Sequence, residues 1–314
     1  MLAELALYSD RLFMATVLVY VLAMVLHGAA YAIERAPAKA PAKAAALVGV
    51  GGQDAGPVEE AVEPPAGGRA EKFGGMALSL TMLGVFLHAG SIVLRGLAAQ
   101  RWPLGNMYEF VSAICLAAAV TWLVVQRRSA VARPVGLFVL LPVVILLFLG
   151  GTVLYAPAAP VMPALQSYWL VIHVTAITIS SGLLVVPGML SALYLLRRSG
   201  RLAGIADKLP SADALDRVAY RTTIVAFPLF TFAIMAGAIW AEAAWGRFWG
   251  WDPKETVAFV SWVIYAAYLH ARATAGWRTG RAAWVNVVGF ATVVFNLFFI
   301  NMVVAGLHSY AGLG

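Results

Sequence analysis

The residues best suited to chemistry in this chain are its five histidines, His27, His88, His173, His270 and His308, and the aromatic stretch WGRFWGWDPKET at Trp245–Thr256. An imidazole can relay protons, hydrogen-bond a neighbour or ligate a metal. His173 and His308 are expected at the same membrane face as the aromatic stretch, with few carboxylates around them. A haem iron takes neutral imidazoles on opposite faces, and its macrocycle needs aromatic or aliphatic walls. Zinc would ask for more Cys, His or carboxylate ligands than this face offers. The pattern therefore points to a large flat ligand carrying a metal.

Each residue also has a plainer explanation. A histidine inside a spanning helix commonly bonds a neighbouring helix or snorkels to the interface. Tryptophan marks membrane interfaces, which suffices for Trp240 taken alone. Four of the ten tryptophans, however, fall between positions 240 and 251, with Gly246 and Gly250 allowing close backbone approach, a density that anchoring does not require. Trp245, Phe248, Trp249 and Trp251 are thus the expected walls of a ligand platform. Asp252, Pro253 and Glu255 have the spacing of N-cap, N1 and N3 of a helix, so Asp252 is expected to organise the loop and not to act as an acid. Arg247 and Lys254 are within reach of acidic substituents on such a ligand, and serve equally well as topology anchors or solvated charges. In RWPLGNMYEF, Asn106 and Glu109 repeat the cap spacing, which structure alone explains.

The elements that must position these side chains follow from composition. With 314 residues, 62% hydrophobic and 12% charged, the chain has more apolar surface than a soluble core could bury, and it is expected to be an all-α polytopic membrane protein. Apolar runs at 11–33, 75–97, 107–126, 135–155, 168–196, 221–241, 256–273 and 284–306 are each long enough to cross, giving about eight spans. The first is too long for a signal-peptide core. Placing both termini outside puts 17 of the 22 Lys and Arg residues on the cytoplasmic side. The net charge of +7 then reports topology and not nucleic-acid binding. This orientation sets His173 and His308 at the outer face, His270 near the inner end of its helix, His27 in an inner half and His88 near mid-membrane. Three units are expected: a first helix at 1–34, a disordered Ala/Pro-rich cytoplasmic linker at 35–73, and a seven-helix domain at 74–314 whose aromatic loop lies at 240–256. A short amphipathic helix is possible between Arg197 and Arg221. The single cysteine, Cys115, lies in an apolar run and allows no internal disulfide or paired-thiol chemistry.

The segments WGRFWGWDPKET, YWLVIHV and GLHSY together resemble the tryptophan-rich WWD motif and flanking histidines of the cytochrome c assembly family. RWPLGNMYEF resembles that family's Pro-x-x-Asn-x-Tyr-Glu element, and the resemblance covers roughly residues 75–314. Length favours the System II branch over the System I relatives CcmC and CcmF. The resemblance implies that His173 and His308 are axial ligands of haem at an outer site, with Trp240 and Arg247 beside it. It also implies that His270 ligates a second, inner haem, with His88 as first and His27 as second choice of partner. It implies haem b as substrate or cofactor, and attachment of haem to an apocytochrome c bearing Cys-x-x-Cys-His. A CcsB/ResB-type membrane subunit and a thiol-reducing protein of the CcsX/ResA type would be its partners, in a bacterial plasma membrane in preference to a thylakoid. Two other functions stay open: a haem exporter without ligation activity, and a di-haem electron carrier.

Overall fold

The computed structural model describes residues 1–34, 67–160, 167–274 and 280–308. These residues form α1 (Leu2–Glu34), α2 (Gly67–Ala99), α3 (Met107–Arg128), a 3₁₀ turn (Ala130–Val135), α4 (Gly136–Thr152), α5 (Tyr168–Ser199), the single turn α6 (Ala203–Ala206), α7 (Ala212–Trp245), α8 (Pro253–Ala273) and α9 (Gly280–Phe295). A π turn (Asn296–Ile300) and the short α10 (Asn301–Val303) extend α9. Among the described residues there is no strand. Three of the long helices begin at side-chain caps as follows: Asn106 Oδ1 accepts the Glu109 amide of α3 at 2.9 Å, Ser167 caps α5, and Asp252 with Glu255 forms a capping box on α8.

α1 packs along α2, α5 lies against α7 with α3 on its other side, and α9 contacts both α5 and α8. Contacts at one end fix how the bundle is threaded. Arg95 near the end of α2 donates to Glu109 Oε1 at the start of α3 at 3.0 Å and lies 3.6 Å from Asp10 of α1. Tyr155, just past α4, donates to Asp10 at 2.8 Å. The Lys254 ammonium sits 6.0 Å from the Phe110 ring, and Asp252 accepts from His308 at 2.8 Å. The start of α1, the start of α8 and residue 308 therefore lie at the same end, and an even number of long helices runs between them, six from α1 to α7 without the single turn α6, then α8 and α9.

Among the described residues, seven helices are long and apolar enough to cross a membrane: α1, α2, α3, α4 with the residues leading into it, α5, α7 and α9 through Val303. α8, the remaining expected span, is a helix but is not among them, because Lys254, Glu255, His270 and Arg272 occupy its ends. It nonetheless runs antiparallel to α9, with Lys254 bonded to Asn301 and the Tyr265 ring over Gly289, and its 21 residues extend about 31 Å. Helices also outrun the apolar runs that announced them. α1 starts at Leu2 and α2 at Gly67, since polar terminal turns continue a helix without adding hydropathy. The expected linker lies outside the described residues over 35–66, while 67–73 belong to α2. Large apolar side chains such as Phe86, Val225 and Met235 are exposed around the bundle, whereas Tyr20, Trp122, Trp240 and Tyr265 are buried within it. A chain that is apolar on its outside as well as in its core is a multi-pass membrane protein.

Candidate ligand site at the capped end of the bundle

α7 does not stop where its apolar run ends. It continues to Trp245, where Gly246 closes it in the left-handed conformation at φ 69°. Trp240 and Trp245 are therefore on a helix, and only residues 246–252 form the loop. The two rings meet edge to face at 4.8 Å. His173 of α5 stacks on Trp240 at 6.0 Å and 9°, while the His308 ring meets Trp245 at 4.9 Å and Trp240 at 5.9 Å. Both imidazoles thus pack against Trp240, and His308 against Trp245 as well.

Both histidines line a cavity of about 190 Å³ enclosed by α3, α4, α5, α7, α8 and the α9 π turn. Trp245, Phe248 and Trp249 supply its aromatic wall, with Phe110, Phe230 and Phe290 deeper in. Trp251 does not line it. Its backbone is left-handed at φ 57°, and its ring turns outward against Trp249 and Phe259. Arg247 also faces away, 3.4 Å from Glu255 and 5.9 Å from the Trp245 ring centre. Gly250 makes room for it, since a Cβ there would lie 1.8 Å from the Arg247 guanidinium carbon.

The hydrogen bonds of the two imidazoles fix their tautomers. His173 Nδ1 lies 2.8 Å from the Ala233 carbonyl oxygen, which only accepts, so the proton is on Nδ1 and the lone pair on Nε2. His308 Nδ1 likewise donates to Asp252 at 2.8 Å. Burial, reinforced by the Lys254 charge, pushes His308 below the ordinary imidazole range despite the carboxylate, so the ring is neutral. Burial alone would raise the Asp252 carboxyl; the Leu307 amide and His308 outweigh it and hold Asp252 below the usual carboxylate range. Two neutral imidazoles with Nδ1 engaged, one of them by a carboxylate, are the donor set that a haem iron takes, and the surrounding wall is apolar. Among the described residues no group of three or more His, Cys, Asp or Glu could hold a lone metal ion.

The other histidines lie elsewhere. His88 is fully buried, 2.9 Å from Ser112 Oγ and edge-on to Tyr20. His27 is tucked against Gly136 of α4. His270 is exposed near the far end of α8. The structure does not bring His270 together with either of them.

Several residues of this end went unnoticed in the sequence. Gly237 lies under His173, where a Cβ would come within 2.7 Å of the imidazole. Asn296 and Asn301, on and just after the π turn, line the cavity. Nothing in their spacing announces them, although π turns recur at functional sites. Arg95 did carry a signal, being a charge inside an apolar run. It pairs with Glu109, which also binds Arg101 at 2.7 Å and the Gly105 amide at 2.8 Å, so the cap spacing of Asn106 and Glu109 conceals a buried charge cluster. That cluster holds the Leu104–Met107 edge of the cavity.

Comparison with known proteins agrees with this picture. Residues 104–308 match the family described as Cytochrome C assembly protein, from the Leu104 edge of the cavity to His308. The chain is 35% identical over 276 residues to cytochrome c biogenesis protein CcsA of Parasynechococcus marenigrum, covering 75% of this chain and 86% of the relative. It is 33% identical over 254 residues to the CcsA of Mesostigma viride, covering 72% and 82%. Among solved structures, the cytochrome c haem lyase CcmF superposes with a TM-score of 0.65 at 16% identity. That likeness covers 94% of this chain but only 46% of CcmF, and it shows a shared fold.

Proposed function

The chain belongs to the cytochrome c assembly protein family, and from that premise we propose that it holds haem between His173 and His308 for attachment to an apocytochrome c. The observation that carries this reading is that two histidines 135 positions apart in the chain reach one apolar cavity, each with Nδ1 engaged and each packed against Trp240. Haem is the substrate here, and thioether formation adds a cysteine S–H across a vinyl C=C with no net oxidant. The chain's contribution is positioning. His173 and His308 fix the iron, Trp245, Phe248 and Trp249 wall the ring, and Asp252 holds the His308 tautomer. Trp251 and Arg247 act from outside the cavity, in support of the loop.

The reading extends to topology and partners. The capped end faces outward from a bacterial plasma membrane, where a thiol-reducing protein keeps the apocytochrome cysteines reduced. A CcsB/ResB-type subunit completes the synthase. His270 serves an inner haem, and since Ser112 and Tyr20 enclose His88, its second ligand is best sought on that companion.

Reduced spectra of the purified protein test the outer site. His173→Ala and His308→Ala are each expected to lose haem or change its ligation, and intact haem with intact cytochrome c maturation in both variants would refute the assignment. Co-expression with the companion and an apocytochrome separates a synthase, which yields covalent haem, from an exporter or an electron carrier.

A further inference from the structure

We infer that Lys254 recognises a carboxylate of the bound macrocycle and so fixes which edge of the ring faces the seam between α8 and α9. This rests on the haem reading above and adds a residue to it. Among the described residues that line the cavity, Lys254 is the only lysine or arginine. Its ammonium donates to Asn301 Oδ1 and lies 6.0 Å from the face of Phe110, so the contacts it makes are with an amide and a ring, both neutral. No carboxylate among the described residues lies within 4.0 Å of it, the range of an ion pair.

The neighbouring acids have partners of their own. Glu255 accepts the Gly250 and Asp252 amides at 2.9 and 3.1 Å and faces Arg247 at 3.4 Å. Asp252 is tied to the Leu307 amide and to His308, both at 2.8 Å. A cation kept in an apolar cavity with no carboxylate in ion-pair contact is costly, since Asp252 attracts it only from a distance, and the positive end of α8, where Lys254 occupies the second helical position, adds to that cost. An anionic group on the ligand removes it. Asn301 and Asn296, whose amide donates to the Lys254 carbonyl at 3.2 Å, hold the lysine toward the cavity.

The alternative from the same sequence stretch, Arg247, is excluded by its position outside the lining and by its pairing with Glu255. An asymmetrically substituted ring is then held with its carboxylate edge at Lys254 and its vinyl-bearing edge turned away from α8 and α9.

Absorbance titration of the detergent-solubilised full-length protein, with ferric haem and with haem dimethyl ester, tests this. Lys254→Met should weaken haem binding about tenfold or more, the range expected for a charge-assisted bond, while Lys254→Arg restores most of it. The ester should bind the unsubstituted protein about as weakly as haem binds Lys254→Met, and Lys254→Met should leave ester binding unchanged. Equal losses for haem and ester would make Lys254 a structural residue and overturn the inference. Should Lys254→Met fail to fold, the ester arm decides: an ester bound as tightly as haem overturns it. Unchanged haem titration in His173→Ala and His308→Ala would instead sink the site assignment itself, whatever Lys254 does.

Discussion

Asp252 caps α8 through the Lys254 amide at 3.3 Å and also accepts the His308 ring proton. Asparagine caps helices as well as aspartate does, so Asp252→Asn keeps the first role while removing the charge behind the imidazole. We expect a melting temperature close to that of the unsubstituted protein and haem affinity about 10- to 100-fold lower, as for other carboxylate–histidine pairs behind a metal, checked by thermal melts and haem titration. The same pair sets a pH dependence. His308 is held below its ordinary value of about 6.5, so the unfolded chain takes up its proton first and stability falls as pH drops below that value. Asp252, also lowered, contributes stability that is lost at still lower pH, as it is protonated. Both effects have one sign, so melting temperature and haem retention should decline together from pH 7 to 5, and His308→Ala should flatten the melting curve's slope over that window.

At the scale of elements, α7 is what brings His173 to its place. Gly237→Ala sets a methyl against a ring held on both sides, and the overpacking should cost about 1–3 kcal/mol while shifting the haem spectrum, both measurable on one preparation. The Glu109 cluster supports the opposite edge of the cavity. Glu109→Ala leaves buried Arg95 with only the more distant Asp10 carboxylate and takes from Arg101 its carboxylate partner, and should destabilise the protein by about 3–5 kcal/mol, far more than loss of a helix N3 residue, as measured by thermal unfolding. The start of α8 was legible in Asp-Pro-Lys-Glu because a capping box is a local event with local residues. The helical state of Trp245 was not, since α7 outlasts its apolar run by a turn and hydropathy sees only the run. Choosing between Arg247 and Lys254 was equally beyond the sequence: they are seven positions apart, and only the turn through Gly250 sends one outward and leaves the other inside.

For the whole molecule, the apolar runs foretold each long helix, and His173 and His308 were placed at one face by counting crossings. What counting could not show is that α8, the least apolar, runs beside α9 and carries Lys254 to Asn301. The orientation itself is open to a direct test. Cys115 is buried, so single cysteines can be added without removing it. Ala159→Cys, on the exposed connection at the capped end, should react with an impermeant maleimide on intact cells, and Ser199→Cys, at the far end of α5, should not. The reverse pattern would invert the topology.

The two imidazoles are fastened in unlike ways. His173 is set into the second turn of α5 and braced by α7, whereas His308 follows the last helical residue by five positions and is held where the Leu307 amide and its own ring both end on Asp252. One jaw of this clamp is welded to the frame and the other is a latch. On the proposed haem reading, an exchange of ligands is expected to begin at His308, whose anchor is a loop carboxylate, and to leave His173, which is built into a helix.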